Sequence, residues 1–302
     1  MAVKAAEHSP VRAHQWAWLF ADAGRDIDHP VLREWGQRLL DGIDGSDLTQ
    51  YLTCLIADGQ LPDPVLGTAL IERGAAYRRT DRTDEAAADF SRAIELSPEH
   101  AGAVVSRGEA YRDAERYGDA LADFTRAIEL DPGSVRAVVG RAETHRLTRH
   151  GDDALADFTQ AIELDPGYAW AIACRGETYQ LMERYDEALA DVDRAIELEP
   201  GSSSAVALRG EIYRETGRYD EALADLNHAI ELDPGYAWAI GSRGQTYREM
   251  GRHDEALADL NHAIGLDPGL AGIFGAFLAD PREESTGPPA ETTIPPGGWG
   301  DA

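Results

Sequence analysis

The side chains best suited to chemistry in this chain are scattered rather than convergent. His228 and His262 stand 34 residues apart. On neighbouring helices that separates them by about 10 Å, too far for one metal ion without other ligands. Cys54 and Cys174 have no C-x-x-C partner, so they suit free thiols in a reducing compartment better than a disulfide framework. No phosphate-binding Gly loop, H-E-x-x-H pair or G-x-S-x-G elbow occurs. Carboxylates are plentiful, but they recur at fixed intervals, which argues for scaffold chemistry over one acid–base pair. The expectation is no enzyme, no cofactor and no metal.

Other residues have chemistry that recognises rather than transforms. The run Gly-Tyr-Ala-Trp-Ala-Ile occurs at 167–172 and again at 235–240. It places Tyr168 beside Trp170 and Tyr236 beside Trp238. Large aromatic side chains make good anchors for a partner, and packing within the chain is the competing use. Glu109 with Arg112, Glu143 with Arg146 and Glu211 with Arg214 are spaced to pair three apart on a helix. Glu177 and Arg248 occupy the same registers in other segments.

These residues are positioned by a repeat. Pro98, Pro132, Pro166, Pro200, Pro234 and Pro268 follow one another at 34 residues. Gly74, Gly108, Gly176, Gly210 and Gly244 keep that step, as do Tyr77, Tyr111, Tyr179, Tyr213 and Tyr247. The third copy instead has Ala142 and His145. Further on come Ala86, Ala120, Ala154, Ala188, Ala222 and Ala256, then an apolar residue four later, then Ala93 and its counterparts. In the fifth copy, Val206, Gly210 and Tyr213 form one stripe of a first helix that Gly217 ends. Asp220 and Glu221 suit the positive end of a second helix, whose buried stripe is Ala222, Leu226, Ala229 and Ile230. Asp233-Pro234-Gly235 stops it. Every copy also carries an Arg before the Gly position and an Asp before the second helix's apolar position, from Arg73 and Asp89 to Arg243 and Asp259. This spacing predicts a partly buried Arg–Asp ladder.

A small residue, an aromatic, A-x-x-x-F-x-x-A and a closing Pro resemble the tetratricopeptide repeat. The resemblance covers 67–270 as six copies: 67–100, 101–134, 135–168, 169–202, 203–236 and 237–270. It implies an all-α, right-handed superhelical solenoid of helix-turn-helix units whose first helices line a concave groove. It also implies a protein-interaction scaffold that takes a protein or peptide partner there. The family's inward positions are the second, fifth, ninth, twelfth and thirteenth of each copy. The partner-binding candidates are thus Tyr168, Trp170, Tyr236, Trp238, Glu109, Glu143, Glu177, Glu211, Arg112, Arg146, Arg214 and Arg248. Trp at the second position is not a family core position, so Trp170 and Trp238 are expected to stand partly exposed. A second reading is a ligand-gated regulator sensing a small peptide, with residues 1–66 as the effector segment.

The ends depart from the pattern. Residues 1–66 predict a helical cap or divergent segment, with helices at 11–23, 30–41 and 46–57. Its core candidates are Trp16, Trp18, Phe20, Trp35, Leu39, Leu52 and Leu55. A DNA-reading helix there is disfavoured by Asp47 and Asp58. Residues 271–280 predict a capping helix whose Phe274 keeps register with Ile240 and Ile172. Ile273 and Phe277 on that helix are candidates for self-association. The tail 281–302, rich in Pro, Gly, Thr and Glu, is expected to be disordered.

Composition agrees. The 302 residues hold 55 acids against 28 Lys and Arg, a formal charge of −27. Such a polyanion is a poor fit for nucleic acid or an anionic membrane. No apolar run reaches the length of a membrane span and no signal peptide is read. The chain is therefore expected to be soluble and cytoplasmic. The ladder makes the first prediction. Arg209→Ala leaves Asp225 uncompensated and costs about 2 kcal/mol, read as a lower thermal midpoint; an unchanged midpoint refutes the ladder.

Overall fold

The computed structural model describes residues 49, 50, 52, 53, 56, 57 and 63–278. The expected helices 11–23 and 30–41, the core candidates Trp16, Trp18, Phe20, Trp35, Leu39 and Leu55, and the tail 281–302 lie outside the described residues. Within 46–57, the described residues are helical and Leu52 is buried.

The described residues are all-α, and from residue 63 they form twelve helices in six consecutive pairs followed by a short cap. The pairs are α1 Asp63–Arg79 with α2 Thr83–Leu96, α3 Ala101–Asp113 with α4 Tyr117–Leu130, and α5 Val135–Leu147 with α6 Gly151–Leu164. They continue with α7 Ala169–Leu181 and α8 Tyr185–Leu198, α9 Ser203–Glu215 and α10 Tyr219–Leu232, then α11 Ala237–Glu249 and α12 His253–Leu266. A 3-10 turn at Pro268–Leu270, α13 Ala271–Phe274 and a second 3-10 turn at Gly275–Phe277 close the described chain. Over the expected capping helix 271–280 the described residues form a short α-helix and a 3-10 turn. The first helix also starts earlier than the repeat at 67, because Asp63 supplies an acid for its first turn.

The chain divides into two compact units, Met1–Thr144 and His145–Ala302. In the first, Leu70, Val104, Phe124 and Ala127 share one core, and Tyr77, Ala86, Phe90 and Ala110 form another. In the second, Val192, Leu208, Ile212, Trp238, Ile240, Leu260 and Phe274 pack together, beside Val206, Leu226 and Ala239. First and second helices bury differently. In α10 only one stripe is buried, Ala222, Asp225, Leu226 and Ala229. In α9, Ala205–Leu208 and Gly210–Ile212 are all buried, because this helix packs against α10 and against first helices of neighbouring copies. Gly210 makes the close approach possible, since a Cβ there would stand 2.9 Å from Leu226 Cγ.

Each pair turns the same way. The second residue after the first helix takes a left-handed backbone conformation, at Asp81, Glu115, Arg149, Glu183, Gly217 and Gly251. The next N–H returns to the helix, as in Arg218 N to Tyr213 O at 2.8 Å. That return folds the Arg over the Tyr ring, with Arg218 Cζ 4.1 Å from the Tyr213 centroid and Arg116 Cζ 4.3 Å from that of Tyr111. The third copy carries His145 and His150 at these two places, and their rings meet edge to face at 6.1 Å. Between pairs, Asp233 Oδ1 accepts the Gly235 N–H at 2.9 Å, and Asp131, Asp165 and Asp267 do the same for Gly133, Gly167 and Gly269.

The Arg–Asp ladder is present. Arg73, Arg107, Arg175, Arg209 and Arg243 each hold the Asp sixteen residues on through Nε and Nη2 at 2.6–2.9 Å. Their Nη1 does more than expected. In Arg107, Arg175, Arg209 and Arg243 it reaches the preceding copy's second helix, at Ser91, Thr159, Asp193 and Asn227, over 2.7–3.1 Å.

Only two of the six turns have Gly at the left-handed position. Glu183→Gly is expected to raise stability by about 0.5–1 kcal/mol, and Gly217→Ala to lower it by about 1 kcal/mol. Denaturant midpoints check both signs.

Candidate functional site

The first helices of successive copies touch, α1 with α3, α7 with α9 and α9 with α11. Along these contacts Glu109, Glu177 and Arg214 find partners in neighbouring copies. Glu109 is buried and accepts from Arg78 of the copy before and from Arg136 of the copy after, the latter through Nε and Nη2, each at 2.6 Å. Burial alone would raise its carboxyl, but the Arg136 hydrogen bonds and the Arg78 and Arg136 charges outweigh that and hold it below the ordinary range. Arg112, the expected partner, instead lies 3.7 Å from Asp113. Arg146 likewise reaches forward to Glu177 at 3.0 Å, and Glu143 is buried. Arg214 reaches forward to Glu249 at 2.8 Å, and Gln180 to Glu215 at 3.0 Å. The first helices of successive copies are in contact here, so a guanidinium of one copy reaches the carboxylate of the next.

Glu211 differs from its counterparts. It is buried, and its Oε1 accepts from Trp238 Nε1 and from Ser242 Oγ at 2.6 Å. Burial is the dominant influence and lifts this carboxyl to about 7, against the pull of Ser242, Arg214 and Trp238. The Tyr236 phenol, desolvated and in the fields of Glu211 and Glu177, is held above its ordinary range.

The two Gly-Tyr-Ala-Trp-Ala-Ile runs have different fates. Tyr168 and Trp170 are both half-buried and stack at 5.8 Å between centroids, 28° apart in plane. Trp238 is only 5% exposed, which corrects the expectation that it stands partly open. Its indole donates inward to Glu211, and the Phe274 ring covers it at 5.6 Å. Phe274 fits because residue 241 is glycine: a Cβ there would lie 2.1 Å from Phe274 Cε2. Ile273 and Phe277 pack half-buried on the same core, and Arg248 sits over Phe277 at 4.9 Å. Sequence reasoning missed Ser242, Gly241 and the ladder's second rung. Two signals were available. The fifth position drops to Gly only at 241, one copy before Phe274, and the residue two after each ladder Asp is always polar.

Three family models described as tetratricopeptide repeat match the chain, over residues 71–135 with 105–169, over 158–190 and over 202–268. The chain belongs to the tetratricopeptide repeat family. No curated protein matches it. Among solved structures, pilF of Pseudomonas aeruginosa aligns at 16% identity over 72% of this chain and 98% of that one, with TM-score 0.60. A tetratricopeptide repeat protein of Parabacteroides merdae aligns at 22% identity over 66% and 79%, with TM-score 0.58. YrrB, a TPR protein with an unusual peptide-binding site, aligns at 27% identity over 59% and 92%, with TM-score 0.46. The first two show the same fold. The tetratricopeptide repeat typically makes non-enzymatic interaction scaffolds, and no helix among the described residues is long and apolar enough to cross a membrane.

The seat of Phe274 is directly testable. Gly241→Ala is expected to cost about 2 kcal/mol by overpacking. Adding Phe274→Val, which copies the Ala173 and Val206 pair found two copies earlier, should recover most of the loss in a denaturant titration.

Proposed function

We propose that this protein is a non-enzymatic scaffold that holds a protein or peptide segment on the first-helix face of copies four to six. The stacked Tyr168–Trp170 pair is the anchor. The observation that carries this reading is the contrast between two identical runs. Trp238 has its indole N–H bound and its ring covered within the chain, whereas Trp170 keeps part of its ring at the surface beside a second aromatic. A half-exposed, pre-stacked aromatic pair offers contact area at low entropic cost. Glu177 and Gln180 of the same face, with Arg146 of the copy before, supply polar groups whose bonds run between copies, so they are held in place before a partner arrives. The family's common use of such surfaces supports the reading. The C-terminal apolar residues Ile273 and Phe277 remain a proposed self-association surface, narrowed by their packing.

A displayed peptide library selected on the full chain tests it. Selected binders should lose at least tenfold in affinity on Trp170→Ala, the scale of an aromatic hot spot, and change little on Trp238→Ala if the fold is kept. Binders that hold the Trp170→Ala chain with unchanged Kd overturn the anchor.

A further inference from the structure

Tyr168 and Trp170 stand at the start of α7. The register of Trp170 continues as half-buried Ser204 on α9 and as buried Trp238 on α11, and these first helices touch in turn. Along this row the side chain falls from an indole to a hydroxymethyl group one copy on. Beneath Ser204, Ala207 is buried, and Tyr236 of copy six packs on it. An aromatic step of this kind, with no charged residue in its register from copy four to copy six, suits a flat apolar ring. Proline rings are what aromatic surfaces take from extended segments, because a polyproline II stretch is already ordered before it binds. The chain carries such a segment. Residues 292–300 read Thr-Thr-Ile-Pro-Pro-Gly-Gly-Trp-Gly and hold no charge, on a chain whose formal charge is −27. The earlier pair, Pro288-Pro289, lies between Glu284 and Glu291. Pro295 follows Leu278 by 17 residues. That length spans about 20–25 Å as a random coil and about 50 Å as extended polyproline. From α7 to α11 is two helix-to-helix steps, about 20 Å, and Phe274, one turn before Leu278, rests on Trp238. Length and span match, which gives an effective concentration on the order of 1 mM.

We propose that Ile294-Pro295-Pro296 of the same chain lies on the Tyr168–Trp170 pair as its resident ligand, so that a partner must displace the tail. This tail contact rests on the anchor reading above and names the chemistry the anchor takes: an uncharged, extended segment that carries proline. At an effective concentration of about 1 mM, a contact with an intrinsic Kd of ~0.1 mM is about nine-tenths filled. A competitor for the same seat then binds the chain about tenfold more weakly than it would bind the bare pair.

Fluorescence anisotropy of a labelled synthetic peptide, residues 290–302, tests this on full-length chains. The chains compared are wild type and the double variant Pro295→Asp with Pro296→Asp, which alters no residue of the helix pairs. The double variant is expected to bind the peptide about tenfold more tightly than wild type, and to lose that binding when Trp170→Ala is added. Equal Kd for the two chains, no binding by the double variant, or binding that survives Trp170→Ala overturns the tail contact. A difference between the chains that fades as they are diluted assigns the segment to a second copy, and overturns the contact within one chain. Comparison of wild type with the double variant holds even if Trp170→Ala fails to fold. The two readings fail separately. Library binders that need Trp170 yet hold both chains with equal Kd overturn the tail contact and leave the anchor standing. Binders indifferent to Trp170→Ala remove the anchor and the seat of the tail with it.

Discussion

In five copies a single guanidinium ties the helix pair together. In each an Arg on the first helix grips an Asp on the second with two parallel bonds, a fork that sets both distance and angle. In four of them the remaining nitrogen reaches the preceding copy's second helix. The same side chain thus closes a hairpin and docks it on its neighbour. A helix pair cannot bury its own apolar stripe, so this docking lets the Ala, Leu and Phe positions leave water. Burial supplies the energy, and the fork specifies the geometry in which it is released.

Individuality then falls to positions the frame does not use. The second, ninth and twelfth residues of each first helix vary among Arg, Trp, Ser, Glu, Gln and others, and their contacts run between copies. One register therefore supports two electrostatic states. Where the next copy delivers Arg136, Glu109 is held below its ordinary range; where it delivers Trp238, burial prevails and Glu211 is lifted above it. The choice follows from whether the arriving donor brings a charge.

The third copy shows how far the frame bends. His145 and His150 replace the Tyr and Arg of the turn together, so a ring-on-ring contact stands where a guanidinium covers a phenol elsewhere. Four turns use non-glycine residues in the left-handed conformation. The returning hydrogen bond and the folded Arg or His hold the turn despite that strain.

By itself the sequence determined the period, the helix pairs, the turn residues and the Arg–Asp ladder, because each depends on residues within one copy whose types repeat. Phe274 in register with Ile240 was equally legible. What only the tertiary structure decided was where the varying residues point. Glu109 and Arg112 are spaced to pair, yet Glu109 is taken by Arg78 and Arg136, which adjacent copies bring to the same carboxylate. Trp170 and Trp238 lie in identical six-residue runs, and nothing local separates them. Their fates part through residues outside the run: Glu211, one copy earlier, draws the Trp238 indole inward, and Phe274, thirty-six residues later, covers it. Burial is a property of what packs on a side chain, and no run of local sequence contains that neighbour.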